Sequence, residues 1–407
     1  MRLRLFLSLL TCSLVASPPD CRQLPPMARA AAVSAGLNLG IELLQLAPAA
    51  QSSVLSNFMI EEMVHLLAEG ARGRTRQELT RLVPENVSAR ALRCLTQEWQ
   101  HPPAQDQDAS PGEKSLTVEF AGHAWIAPQF PVKPSFGELL ENDFQWGISS
   151  LLTQPNAAVQ EVNKWVSSQT HGVIENLFPP TTINEQTQLV LACTTYLKGS
   201  WAIPFSRDLT QPDTFTLSDG KTRQAPFMQK SAFMDVAERQ NETVVLVPIA
   251  GANQRWALML VLPKRRSAQD VLMRLRAAEI SQWLASPRQT YTELHLPRFR
   301  LSSEWDLAQT LEAVNIKLAF TPQADFTGIS DVPGLHVGAL LHQAVLEVNE
   351  DGLLATAAVG GAMQVLSARE PPTPLVVRFD RPFLCGVVDR TSGALLFLGI
   401  CQQPETL

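Results

Sequence analysis

Apolar residues in the early part of the chain recur at three- and four-residue steps. Between Ala31 and Val83 the residues that recur in this way are Leu37, Ile41 and Leu44, then Ile60, Met63, Val64 and Leu67. This spacing puts apolar side chains on one face of a helix, so it predicts helices over Ala31–Val83. The stretch Gly70–Gly73 predicts a helix end, and Thr75 is predicted to cap the next helix.

Alternating apolar and polar positions predict strands further along the chain. They occur in Leu116–Phe120, in parts of Leu189–Leu197 and in Trp256–Leu262, with a predicted amphipathic helix at Ala157–Thr170. Two near-continuous apolar runs, Arg378–Val388 and Ala394–Ile400, flank Asp389–Gly393 and predict a buried hairpin. Because no linker or repeat divides the chain, the pattern predicts one α+β domain with large antiparallel sheets.

Composition narrows the possible partners. The chain has 407 residues, 45% of them apolar, which is enough for a large core, and a formal net charge of -6. An acidic surface does not attract nucleic acid or anionic lipid, so we predict neither partner. Basic residues cluster at Arg72–Arg81 and Lys264–Arg266. These clusters could bind a heparin-like polysaccharide, but solvated surface is the simpler interpretation, so heparin binding is not predicted.

The N-terminus has the pattern of a secretion signal. Two arginines precede a short apolar run, which predicts a signal peptide over residues 1–20 with cleavage near 16–21 and a mature domain over 21–407. In an exported protein the sequons at Asn86 and Asn241 are candidate glycosylation sites. Cys21, Cys94, Cys193, Cys385 and Cys401 then remain, with neither metal-site nor disulfide-framework spacing, so at least one thiol should stay free.

A segment of small residues precedes the C-terminal hairpin. Glu350–Gly361 has glycine at each end and no strong preference for helix or strand. Beyond it, Arg369 is followed by Pro371, Pro372 and Pro374, which prevent regular structure. The composition predicts a flexible hinge that leads into a protease-sensitive tip, although a plain surface loop has the same features.

Several motifs, in order along the chain, carry a resemblance to a known family. They are Asn163–Val166 with Thr170–Ile174, Tyr196–Trp201 with Pro204–Phe205, Leu294–Arg300, Ala324–Ser330, His342–Gly352, and Arg381–Leu384 with Leu396–Gly399. Together they resemble the serpins over nearly the whole chain. The resemblance implies an α+β serpin fold with three β-sheets, eight or nine helices and an exposed reactive-centre loop at about 350–380.

The resemblance also implies a mechanism and its residues. A serine protease attacks the loop, forms an acyl-enzyme, and is trapped when the cleaved hinge inserts into the central sheet. The hinge residues would be Glu350, Asp351, Gly352, Leu353, Ala355 and Ala357, and the region where the sheet opens would include Ser56, Cys193 and His342. Leu353 stands where the family usually has threonine or serine, and Cys193 replaces an asparagine that bonds the histidine.

Two peptide bonds are candidates for cleavage. The family's usual hinge length, counted from Glu350, predicts Leu366–Ser367 and a chymotrypsin- or elastase-like target. The sequence Leu366–Arg369 instead resembles the tip of plasminogen activator inhibitors, and Arg369–Glu370 suits the acidic specificity pocket of a trypsin-like protease. The sequence favours Arg369, although that bond lies three residues further along.

Two functional classes are compatible with these features. We predict a secreted, monomeric suicide-substrate inhibitor of an extracellular serine protease, with a non-inhibitory carrier, binding protein or protease substrate as the alternative. We predict no enzymatic activity, cofactor or metal, because the histidines have no ligand spacing and no Gly-x-Ser-x-Gly or His-Glu-x-x-His motif occurs.

Overall fold

Helices dominate the first part of the chain and lie on both faces of the central sheet. A computed structural model describes residues 21, 25–84, 86–101, 116–251, 254–354 and 372–404. The helices in these ranges are α1 (Pro26–Leu44), α2 (Asn57–Gly70), α3 (Gly73–Leu79), α4 (Ala89–Gln100), α5 (Pro134–Leu139), α6 (Pro155–Gln169), α7 (Ala268–Arg274), α8 (Ala277–Ala285) and α9 (Leu307–Ala313). The predicted early helices are confirmed.

Six strands form the central sheet. They are β2 (Thr117–Ile126), β3 (Gly147–Ser150), β4 (Leu189–Ser200), β10 (Phe299–Asp306), β11 (Val337–Val348) and β12 (Gly352–Leu353). Their order is β10-β11-β12-β4-β2-β3, with additional pairing between β11 and β4. The pair β11–β4 is parallel and runs from Val337 opposite Leu189 to Gln343 opposite Thr194, whereas β12 is antiparallel to both neighbours.

The remaining nine strands form a second hydrogen-bonded sheet. They are β1 (Ser53–Leu55), β5 (Gln211–Thr216), β6 (Thr222–Glu238), β7 (Glu242–Pro248), β8 (Trp256–Pro263), β9 (Arg288–Pro297), β13 (Leu375–Arg378), β14 (Phe383–Asp389) and β15 (Leu395–Cys401). The predicted C-terminal hairpin is confirmed as β14 and β15. The three expected sheets join into two networks here because the 17-residue β6 pairs with β7 through its C-terminal end and with β5 and β9 through the rest.

Apolar side chains form two cores on opposite faces of the central sheet. The larger one lies between the two sheets and includes α1 and α2. The smaller one lies under α6, whose Val159, Val162 and Val166 contact the outer face of β4 and β11. Helical spacing therefore predicted the buried face of α6 correctly.

One local prediction is wrong. Thr75 is not a helix cap, because α3 begins at Gly73 and the Thr75 hydroxyl accepts a hydrogen bond from the Asp325 backbone N–H at 3.0 Å.

Among the described helices, α1 is long and apolar enough to cross a membrane, but half of it is buried inside the fold. Its apolar character is therefore that of a core helix.

Two of the cysteines form a disulfide that their spacing in the sequence did not predict. Cys21 forms a disulfide with Cys94 of α4, while Cys193, Cys385 and Cys401 are buried and form no disulfide within the described residues. The disulfide closes a span of 73 residues. Such a cross-link stabilises chiefly by restricting the unfolded chain.

Removing this disulfide should lower stability measurably. We expect Cys94→Ala to reduce the free energy of unfolding by about 2–4 kcal/mol, which is typical for a bond closing a loop of this length. Denaturant unfolding followed by circular dichroism measures the change. Cys21→Ala should cost the same, and the double variant little more. If the two single effects add in the double variant, the cysteines are not bonded to each other.

Candidate functional site

The N-terminal end of the predicted hinge lies inside the central sheet. Gly352 and Leu353 form β12 between β11 and β4, with Leu353 opposite Val348 on one side and Gly199 on the other. The Leu353 side chain is fully buried. We call the space between β11 and β4 the gap. Only its upper end is filled by β12, because further down β11 and β4 pair directly with each other.

A buried carboxylate anchors the residue that precedes this strand. Glu350 receives hydrogen bonds from the Arg298 guanidinium, with Nε at 2.8 Å, and from the Thr210 hydroxyl at 2.6 Å, while its carbonyl accepts from the Phe205 N–H at 3.0 Å. Burial alone would raise the pKa of Glu350, but the hydrogen bonds from Arg298 and Thr210 outweigh it and lower the pKa below its usual value. The charged form of Glu350 is therefore the one that the fold holds.

The turn between Glu350 and β12 is built around Asn349. Its side-chain oxygen accepts hydrogen bonds from the N–H groups of Asp351 at 3.0 Å and Gly352 at 3.2 Å. Gly352 has a φ of 153°, and a Cβ there would lie 1.9 Å from the Gly199 carbonyl oxygen. Only glycine fits this close approach of two backbones.

Trp201 attaches the same turn to the rest of the fold. Its indole N–H donates to the Asn349 carbonyl at 2.8 Å, and its backbone N–H donates to the Asp351 carbonyl at 3.1 Å. Arg207 forms an ion pair with the Asp351 side chain. The segment Trp201–Arg207 therefore contacts every residue from Asn349 to Asp351 that leads into the sheet.

His342, Ser56 and Cys193 meet beneath the central sheet. His342 lies directly opposite Cys193 across the β11–β4 pair. The Ser56 backbone N–H donates to His342 Nε2 at 3.0 Å, so Nδ1 carries the ring hydrogen and faces Cys193 Sγ at 3.6 Å. Thr195 extends the network by donating to the Ser56 hydroxyl at 3.0 Å. The backbone N–H of Ser56 supplies the strong partner that a thiol cannot.

Comparison with known proteins identifies the family of this chain. Residues 34–404 match the family described as Serpin (serine protease inhibitor). A serine protease inhibitor of Cyanea capillata is 29% identical, covering 92% of this chain and 98% of its own, and Serpin-Z1C of Triticum aestivum is 30% identical, covering 88% and 91%. The chain is a member of the serpin family.

Solved structures confirm the serpin fold. Human thyroxine-binding globulin, in complex with thyroxine, superposes with a TM-score of 0.81 at 21% identity, covering 93% of this chain and 100% of that one. Uncleaved ovalbumin superposes with a TM-score of 0.78 at 22% identity, covering 91% and 99%. The predicted family and α+β fold are thus confirmed.

The structure brings together some of the predicted site residues of this serpin. Glu350, Asp351, Gly352 and Leu353 form one site at the top of the sheet, and Ser56, Cys193 and His342 form a second one below it. Asn86 is exposed, and Asn241 is half-buried in the turn between β6 and β7. The following predicted residues lie outside the described part of the chain: Ala355, Ala357, Leu366, Ser367, Arg369 and Glu370.

One residue of the serpin hinge region was missed from the sequence. Lys230 is buried on β6, donates to the Ile203 carbonyl at 2.8 Å and lies 4.2 Å from the centre of the Phe205 ring. Burial lowers the pKa of Lys230 to about 7. The signal was a lysine between the apolar pairs Phe227–Met228 and Phe233–Met234, where a buried charge needs a specific partner.

His342 should make this serpin less stable in mild acid. Burial lowers its pKa from 6.5 to about 4, so between these values the unfolded chain binds a proton that the folded chain excludes. Stability should fall by roughly 2–4 kcal/mol as the pH drops through this interval. Denaturant midpoints at pH 7, 5.5 and 4.5 measure how stability depends on pH, and this dependence should be weaker in His342→Gln than in wild type. The control His336→Gln should show the same pH dependence as wild type. If His342→Gln also shows the wild-type pH dependence, His342 does not titrate in this way.

Arg298→Ala should weaken the hinge anchor. The substitution leaves Glu350 buried without its cationic partner, which costs about 1–3 kcal/mol and frees the turn. We expect faster hydrogen exchange in a peptide covering 349–354. Arg207→Ala removes only the exposed ion pair with Asp351 and should change stability by about 0.5 kcal/mol or less. Equal effects of the two substitutions would contradict the anchoring role of Arg298.

Proposed function

We propose that this serpin is a secreted inhibitor that traps a serine protease by inserting its cleaved loop between β11 and β4. The observation that carries the proposal is the position of β12, since the hinge has begun to pair in the gap that insertion would fill. An inserted strand satisfies backbone groups on both sides, which supplies a driving force for completing the movement.

The register of β12 predicts how insertion would continue. Each further residue of the loop would lie one position lower on both β11 and β4. Val359 would then come between His342 and Cys193, the two residues that face each other in the closed sheet. Insertion would thus separate this pair, and the hydrogen bond from the Ser56 N–H would have to hold the His342 ring without the thiol.

Side-chain size supports insertion along this path. Residues on the same face as Leu353 would point into the larger core, and these are Ala355, Ala357 and Val359. Small residues can enter a packed interior without overpacking it, whereas a charge or a proline would block the movement. Leu353 is not a barrier to the start of insertion, because its side chain is already buried.

The same register favours one of the two candidate scissile bonds. β4 begins at Leu189, which would lie opposite Met363, so the gap ends there. Leu366 lies three residues beyond that end and Arg369 six, or about 10 Å and about 20 Å of extended chain. A short tether strains the attached protease more, so we propose Leu366–Ser367 as the inhibitory bond. Arg369–Glu370, resembling the plasminogen activator inhibitors, remains the alternative, with a trypsin-like target.

In the trapping reaction the protease supplies the chemistry. Its serine oxygen attacks the carbonyl carbon of Leu366, the bond to the Ser367 nitrogen breaks, and Ser367 leaves as a new amino terminus. The acyl-enzyme ester then joins the protease to Leu366. Insertion would pull this ester away from the water-activating groups of the protease.

Secretion has independent support. Disulfides persist in oxidising compartments and are rare in the cytosol, so the Cys21–Cys94 bond fits an exported protein. The basic and apolar start of the chain and the exposed sequon at Asn86 agree with it. Glycosylation at Asn86, and less readily at half-buried Asn241, is part of the same proposal, as is a single mature domain over 21–407.

A carrier is the second candidate. The structural likeness to thyroxine-binding globulin in complex with thyroxine favours it, because the serpin fold there serves ligand binding. A carrier would need no productive loop insertion. The two functions therefore differ in the fate of the loop after its cleavage.

Incubation with chymotrypsin, pancreatic elastase and trypsin, followed by denaturing electrophoresis, tests the proposal. We expect a covalent complex with chymotrypsin or elastase and a released fragment that begins at Ser367. Trypsin should cut after Arg369, and most of it should then dissociate as active enzyme, because the longer tether strains it less. Ala357→Arg is the control and should be cut at the same bond without forming a complex, since the added charge blocks insertion.

The carrier has a distinct outcome in this experiment. Cleavage without any covalent complex, and without a rise in melting temperature of the cleaved protein, rules out the inhibitory function. A covalent complex only with trypsin, with Glu370 at the start of the fragment, keeps the inhibitor but assigns Arg369 as the specificity residue.

A further inference from the structure

A cleft of about 600 Å³ lies beside the segment that anchors the hinge. Its apolar walls include Ile203, Phe233, Pro248 and Tyr291. Phe233 and Ile203 are 54% and 39% exposed, and the Phe233 and Tyr291 rings lie 5.3 Å apart. An exposed phenylalanine beside a half-buried tyrosine, both lining a cleft of this size, is typical of a binding site for a small molecule.

The polar side of the cleft offers a cation. Arg390 pairs with the nearly buried Asp235, which also accepts a hydrogen bond from Gln289. The Arg390 side chain is 30% exposed, and among the described residues its hydrogen bonds go to Asp235 and to the Gln254 carbonyl. A guanidinium has five N–H donors in a planar fork, so Arg390 can hold an additional anionic group while it stays bound to Asp235.

We propose that this cleft binds a small aromatic carboxylate or sulfonate, and that a bound ligand stabilises the attachment of the predicted hinge at Glu350 and Asp351. The rings of the ligand would stack on Phe233 and Tyr291, and its anionic group would lie on Arg390. The volume suits a molecule of that size, within the usual range of about 300–1,000 Å³.

The connection to the hinge runs through one short segment. Ala202 and Ile203 line the cleft, and their neighbours Trp201 and Phe205 donate backbone hydrogen bonds to the Asp351 and Glu350 carbonyls. Lys230 supports the same segment from below through its hydrogen bond to the Ile203 carbonyl. A ligand packed against Ile203 restricts this segment, which stabilises the two hydrogen bonds that hold Glu350 and Asp351.

Titration with 8-anilinonaphthalene-1-sulfonate tests the site. We expect saturable binding at one site, weakened about tenfold, or about 1.4 kcal/mol, by Phe233→Glu and by Arg390→Gln. The matched controls are Val376→Glu, an equally exposed apolar residue on β13, and Arg288→Gln, an exposed arginine outside the cleft. Both controls should bind like wild type. The melting temperature of each variant shows whether it remains folded.

Hydrogen exchange of a peptide covering 349–354 measures the coupling and requires no target protease. Saturating probe should slow exchange of this peptide in wild type and leave it unchanged in Phe233→Glu. Absence of saturable binding, or equal loss in the control variants, overturns the site. Binding without slower exchange at 349–354 overturns the coupling. Both readouts are independent of inhibition, so a failed protease assay leaves this test valid.

Discussion

The parallel pairing of β11 with β4 is the constraint on which the rest of this serpin depends. These two central strands bond directly to each other from Val337 to Gln343, yet at their upper end Gly352 and Leu353 lie between them. The sheet is therefore closed below and open above. Glu350 and Asn349 hold the hinge at the top, and Ser56 holds His342 underneath, so each end of the gap has its own set of hydrogen bonds.

Two buried carboxyl groups carry an energetic cost in this fold. Glu61 and Glu62 are both buried on α2, and burial raises the pKa of Glu61 well above its usual value and that of Glu62 to about 8. Among the described residues, neither Glu61 carboxyl oxygen has a hydrogen-bond partner. Unpaired buried groups of this kind destabilise a native state. In the proposed inhibitor, which would gain stability when its loop inserts, such a cost would be tolerable.

Periodic patterns predicted much of the fold, and single contacts explain what they missed. The rows of α1, α2 and α6 and the buried hairpin were predictable because burial repeats with the period of the element. Thr75 was misassigned because a local cap signal cannot show that Asp325, far along the chain, uses its hydroxyl. The Cys21–Cys94 bond and the Ser56 partner of His342 have the same origin, since both depend on distant segments meeting.

The hinge shows the same division between local and distant information. Its small residues and glycines were visible in the sequence, and so was the bulky Leu353. That Leu353 is already buried could not be inferred, because burial depends on the separation of β11 and β4 at that height. The short cleft segment Ala202–Ile203 also had no signal, since its position next to the hinge results from hydrogen bonds of its neighbours.

For the secreted protein proposed above, the disulfide between Cys21 and Cys94 would limit where a signal peptide can be removed. A signal peptidase cutting before residue 21 would leave both cysteines in the mature chain, whereas trimming by one more residue would turn Cys94 into an unpaired thiol within the core. Cleavage at any point beyond Cys21 would therefore remove the disulfide.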